Sequence, residues 1–142
     1  MMLTCRRHME NQLFVDTSAF YALLDRDDGN HQKAKATWGE FLDSEHPLVT
    51  TNYILVETFA LLQSRIGIQA VRGFQSEILP VVDVEFVTPD LHRLGVAAFL
   101  SASRRKLTLV DCVSFEVMRH LGITLAFTFD SHFKAHGFRA AP

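Results

Sequence analysis

Four carboxylates in this sequence stand where they could share one piece of chemistry. Asp16 follows Leu13-Phe14-Val15, Asp111 follows Leu107-Thr108-Leu109-Val110, and Asp130 lies just beyond Ile123–Phe129. Each preceding run is short and apolar and reads as a buried strand that ends at its acid. In an open α/β sheet the carboxyl ends of parallel strands lie along one edge, where ligands bind, however far apart they are in sequence. Glu57 is the fourth acid. It sits on a helix after the strand Leu48-Val49-Thr50, among Leu55, Val56 and Phe59, and is expected to point toward the same edge.

Carboxylates held together repel. Two unit charges 4 Å apart at an effective dielectric near 20 cost about 4 kcal/mol. Without compensation they protonate or separate. A hard divalent cation removes that cost, and Mg²⁺ or Mn²⁺ suits carboxylate and water oxygens. Such ions activate water and stabilise the charge that develops on a phosphodiester during in-line displacement. Helices opened by Asp16 and Asp111 would aim their positive ends at the same place. The plainer reading of Asp16 and Asp111 is that each is a helix N-cap, and Asp130-Ser131-His132 can equally be a turn.

The elements that must position these acids alternate. Asp16 or Thr17 caps a helix bearing Phe20, Leu23 and Leu24, and Asp27-Asp28-Gly29-Asn30 turns into a second helix with Ala34, Trp38, Phe41 and Leu42 on one face. Asn52 is expected to cap Tyr53–Ser64, which Gly67 closes, and a further helix runs over 68–79 to Pro80. Residues 81–87 read as a strand, Thr88-Pro89-Asp90 opens a helix, and the helix from Asp111 carries Val113, Val117, Met118 and Leu121 to Gly122. Strands alternating with helices predict a single α/β domain over 12–142 with a mainly parallel sheet. Residues 1–11 are set aside as an N-terminal extension.

Composition bounds the answer. A chain of 142 residues with 48% hydrophobic and 21% charged residues is neither disordered nor more than one domain. It has no long apolar run that would span a membrane. A net charge of -2 excludes a strongly basic nucleic-acid coat, though not an enzyme acting on nucleic acid. The charge is uneven: residues 16–60 hold 3 Lys+Arg against 8 Asp+Glu, and residues 101–142 hold 6 against 3. Two cysteines, Cys5 and Cys112, form no zinc spacing or disulfide framework, and the N-terminus is not a signal peptide, so a cytoplasmic protein is expected.

The stretches Phe14-Val15-Asp16-Thr17-Ser18-Ala19, Asn52-Tyr53-Ile54-Leu55-Val56-Glu57, Leu109-Val110-Asp111-Cys112-Val113-Ser114-Phe115 and Phe127-Thr128-Phe129-Asp130-Ser131-His132-Phe133 together resemble the PIN-domain family, and more narrowly its VapC-type toxins. The resemblance covers essentially residues 12–139. It implies an α/β/α sandwich and a Mg²⁺- or Mn²⁺-dependent endoribonuclease, with Asp16, Glu57, Asp111 and Asp130 as the catalytic, metal-holding quartet. It also implies supporting hydroxyls at Thr17 or Ser18 and at Thr128. By the same resemblance the partners are an RNA substrate, a cognate antitoxin and a second copy of the chain.

Among the basic residues, Arg65, Arg119 and Lys134 are candidates for RNA contact, whereas Arg104-Arg105-Lys106 is expected at the sheet edge opposite the acids. His132 and His136 have the spacing of a helical metal pair, but Phe133 stands where a zinc protease needs Glu. Cys112 reads as a buried small residue rather than a nucleophile. The helices at 52–79 are candidates for a dimer face. Two other classes fit less well. A phosphoryl-accepting Asp of the phosphatase type would want an acid where Ser18 stands, and a non-catalytic module would not keep all four carboxylates.

Overall fold

The computed structural model describes residues 12–102 and 106–142. Its five strands, β1 (Leu13–Val15), β2 (Leu48–Thr51), β3 (Asp83–Glu85), β4 (Leu125–Phe127) and β5 (Arg139–Ala141), form one parallel sheet in the order β3-β2-β1-β4-β5. The helices are α1 (Thr17–Leu24), α2 (His31–Asp43), α3 (Asn52–Arg65), α4 (Ile68–Gly73), α5 (Pro89–Ser101), α6 (Leu109–Leu121) and α7 (His132–Ala135). The chain builds outward from β1 to β3 and then returns to lay β4 on β1's other side. The strand order therefore reverses at β1, the place where open α/β sheets open a crevice.

Side chains alternate across a strand, so the two faces of the sheet can be told apart. Phe127 on β4 packs against Trp38 and Phe41 of α2. Its sheet neighbour Phe14 faces the other way, onto Phe133 of α7, which in turn meets Phe115 of α6 edge-on. Leu13, Phe14 and Val15 are wholly buried between these layers. The result is the α/β/α sandwich that the sequence led us to expect.

Several local expectations are corrected. Leu107–Val110 is not a strand: α6 starts at Leu109, with Thr108 as its N-cap. The short β-branched run imitates a strand, but Thr108-x-x-Asp111 is a capping box. The Thr108 hydroxyl accepts from Asp111 N at 3.1 Å, and Asp111 Oδ2 accepts from Thr108 N at 3.2 Å. Residues 68–79 do not form one helix. After α4 the backbone widens into a π turn at Phe74–Ile78 and tightens into a 3-10 turn at Leu79–Val81 around Pro80.

Thr51, not Asn52, caps α3, and Asn52 Oδ1 instead accepts from Val87 N at 2.8 Å. The strand expected over 81–87 shortens to Asp83–Glu85 at the sheet edge, and α7 and β5 are additions to the expected elements. One close approach matters for the site. A Cβ on Gly95 of α5 would lie 2.4 Å from Val113 Cγ2 and 3.1 Å from Val113 Cα, so glycine is what lets α5 seat against α6, the helix that carries Asp111.

Candidate active site

The parallel register sets Val15 beside Phe127, which brings the next residues, Asp16 and Thr128, side by side at the strand ends. Asp16 is 4% exposed. Its Oδ2 accepts from Ser18 Oγ at 2.7 Å, from Thr128 Oγ1 at 3.0 Å and, as the cap of α1, from Ser18 N at 3.3 Å. Both hydroxyls spend their single proton on Asp16 and use a lone pair elsewhere. Ser18 Oγ accepts from Phe129 N at 2.9 Å and Thr128 Oγ1 from Asp130 N at 2.9 Å. These bonds lock the loop after β4 to the start of α1, and Asp130 is placed by that lock.

The remaining acids arrive from helix starts. Glu57 comes from the second turn of α3, which β2 feeds through the Thr51 cap. Asp111 comes from the first turn of α6, held by the Thr108 box. Asp16, Thr17, Ser18, Glu57, Thr108, Asp111 and Asp130 line one cleft of about 210 Å³. All four expected acids and the hydroxyls of Thr17 and Ser18 thus converge, with Thr128 directly behind Asp16. Asp111 reaches the cleft although no strand precedes it, because the N-terminus of α6 opens there.

Electrostatics mark the cleft as a place of unmet negative charge. Burial raises the Asp16 carboxyl to about 6, against the lowering effect of its hydroxyl partners. Glu57 is raised first by burial and then by the charges of Asp111 and Asp130, with the Thr17 hydroxyl opposing. Asp111 is raised by burial and by Asp130, with its Thr108 bonds and His132 acting the other way. Oxygen atoms of Asp111 and Asp130 lie within 4.8 Å of each other and of a ring nitrogen of His132. A divalent cation fits this donor set: it is rich in carboxylate oxygen, and an ion would offset the mutual repulsion of carboxylates gathered in one cleft.

Two residues close to the acids escape the sequence reading. His132 stands out there only as one half of a pair with His136, yet the two part. The His132 ring turns to the acids, while His136 stacks on Phe115 at 4.5 Å between centroids. Lys106, expected at the opposite sheet edge with Arg104 and Arg105, instead lines the acidic cleft. Arg104 and Arg105 lie outside the described residues, as do residues 1–11. The readable signal is the capping box, which puts Lys106 two residues before the N-cap of a helix rather than at the foot of a strand.

The three arginine and lysine candidates separate. Lys134 lines a neighbouring cleft of about 260 Å³ with Thr128, Phe129, Asp130 and Ser131, so it borders the acids. Arg65 is exposed at the end of α3, with its guanidinium over the Tyr21 ring. Arg119 lies over Phe138 and 3.4 Å from Glu116 on α6. Neither arginine lines the acidic cleft. Cys112 is buried, as expected.

A parallel sheet reversing at β1, with four carboxylates gathered at that reversal, is the architecture of the PIN domain, and the model of that domain matches residues 13–139. The chain belongs to the PIN-domain family. It is 40% identical over 128 residues to the 23S rRNA-specific endonuclease VapC20 of Mycobacterium tuberculosis, in strains CDC 1551 / Oshkosh and H37Rv alike, covering 89% of this chain and 95% of the relative. The crystal structure of M. tuberculosis VapC20, described as a Sarcin-Ricin loop cleaving toxin, superposes with a TM-score of 0.78 at 37% identity, again over 89% and 95% of the two chains. FitAcB from Neisseria gonorrhoeae shares the fold at 11% identity, with a TM-score of 0.67 over 92% of this chain and 96% of its own.

Proposed function

We propose that this chain is a divalent-metal-dependent endoribonuclease and the toxin of a toxin–antitoxin pair. The observation that carries the reading is the convergence of Asp16, Glu57, Asp111 and Asp130 on one cleft, with burial raising the first three carboxyls. Those four side chains would hold the ion, Mg²⁺ or Mn²⁺. When bound, such an ion supplies Lewis acidity, making water a better nucleophile and offsetting charge on the phosphodiester.

The protein's own part is orientation and charge. Ser18 and Thr128 fix Asp16 Oδ2 so that it cannot swing away as substrate binds. The N-termini of α1 and α6 open toward the cleft and favour a phosphate there. Lys106 and Lys134 flank the acids and offset the repulsion between an anionic cleft and an RNA backbone.

The relative's named target makes 23S rRNA the first substrate to try. The chain is proposed to work as a homodimer. Val56, Ile66 and Ile68, on or near the 52–79 helices, stay exposed in the single chain, at 69%, 43% and 50%. Among the described residues no helix is long and apolar enough to cross a membrane, and the reading places the protein in the cytoplasm. Discrete RNA fragments that need Mg²⁺ or Mn²⁺ and vanish with EDTA would bear out the reading. Divalent binding without cleavage of any RNA would reduce the chain to a binding module.

A further inference from the structure

His132 is held in place from behind. Phe133 beside it is wholly buried in the aromatic cluster with Phe14 and Phe115. The His132 backbone N–H donates to Asp130 Oδ1 at 2.9 Å. The imidazole therefore has little freedom, and its Nδ1 stands 3.1 Å from Asp130 Oδ1 and 3.5 Å from Asp111 Oδ2. That nitrogen is shut off from solvent and makes no well-directed hydrogen bond to either carboxylate. A buried imidazole nitrogen set between two carboxylates is well placed to give its lone pair to a cation that they share. The ring nitrogen and the two carboxylate oxygens are close enough together that one ion could meet all three.

We propose that His132 Nδ1 is a direct ligand of the catalytic ion, which makes the site one for Mn²⁺ in preference to Mg²⁺. The inference rests on the metal-nuclease reading and adds to it a nitrogen donor and a choice of ion. Mg²⁺ is a hard ion that keeps oxygen ligands and sheds water reluctantly, whereas imidazole suits first-row transition ions, with Mn²⁺ the weakest binder among them. A site made only of Asp16, Glu57, Asp111 and Asp130 would bind either ion through oxygen. Replacing one oxygen position by nitrogen penalises Mg²⁺ selectively.

The test uses the full chain and the ions themselves. Pulsed electron paramagnetic resonance on the Mn²⁺-loaded protein reads ¹⁴N coupling, and calorimetry gives dissociation constants for Mn²⁺ and Mg²⁺. Wild type is expected to show ¹⁴N coupling and to prefer Mn²⁺. His132→Asp, which restores an oxygen donor, is expected to lose the coupling, keep divalent binding and lower the Mn²⁺/Mg²⁺ preference by about tenfold. His132→Asn is expected to lose the coupling and weaken Mn²⁺ more than Mg²⁺. Wild type that binds Mn²⁺ without ¹⁴N coupling, or a coupling that survives in His132→Asp, overturns the inference and leaves the nuclease reading standing. Wild type that binds neither ion overturns both.

Discussion

Replacing Asp16 by Asn should disable the site and, in the absence of metal, make the protein more stable. Asp16 is almost completely buried and its carboxyl is raised from the ordinary 3.8 to about 6. An acid raised by folding binds its proton more tightly in the native state, so the ionised form is a burden that appears as pH rises through this interval. Below 3.8 both folded and unfolded chains carry the proton and the burden is absent. Integrating between those two values, the burden is about 1 kcal/mol at about pH 4.5 and about 3 kcal/mol at about pH 7.5.

The substituted side chain keeps an amide oxygen for the Ser18 and Thr128 hydroxyls, so the supporting bonds survive while the charge goes. For a chain of this size, about 3 °C of melting temperature per kcal/mol gives a gain of about 10 °C near neutrality. In EDTA, Asp16→Asn should melt above wild type by that amount at about pH 7.5 and by about 3 °C at about pH 4.5. Adding Mn²⁺ should narrow or reverse the gap, because only wild type gains full binding energy. Scanning calorimetry at the two pH values makes the comparison. A variant less stable than wild type in EDTA near neutrality, or a gap that does not change with pH, would refute the reasoning.

Other expectations follow from the same geometry. Glu57→Gln, Asp111→Asn and Asp130→Asn should each cut cleavage by at least about 100-fold with the fold intact, checked by RNA cleavage beside circular dichroism. Thr108→Ala should remove the cap of α6 and cost about 1 kcal/mol in urea unfolding, with weaker Mn²⁺ binding because Asp111 loses its brace. Gly95→Ala should cost about 1–3 kcal/mol, since the added methyl meets Val113 main chain as well as side chain. Lys134→Ala should weaken RNA binding and flatten its salt dependence, while Arg65→Ala should do neither, as read by filter binding at several salt concentrations.

Residues whose role is set locally are legible in the sequence. Asp16 shows itself because a buried strand ends in an acid that also caps the next helix, and both facts lie within a few neighbouring residues. Glu57 and the α3 helix follow from apolar spacing. Asp111 is placed correctly for a partly mistaken reason: the run before it has strand composition, and only the reciprocal bonds between Thr108 and Asp111 make it a helix start. Lys106 is lost by the same error, since an imagined strand carries it to the far edge. His132 is hidden differently. Its importance depends on the Ser18–Thr128 lock that sets Asp130, and on Phe133 entering the core, and the lock joins segments more than 100 residues apart. The edge elements β3 and β5 are shortened or unseen because a three-residue strand that fully buries none of its residues has no hydrophobic period to read.

The most direct measurement is cleavage of end-labelled total RNA by the purified chain. It would be run with Mg²⁺, with Mn²⁺ and with excess EDTA, beside Asp16→Asn. The expected result is a small set of discrete fragments, 23S rRNA among their sources, that disappear both with EDTA and with the variant. Fragments that persist in EDTA, or that Asp16→Asn produces as wild type does, would contradict the assignment of this cleft as a metal-dependent ribonuclease site.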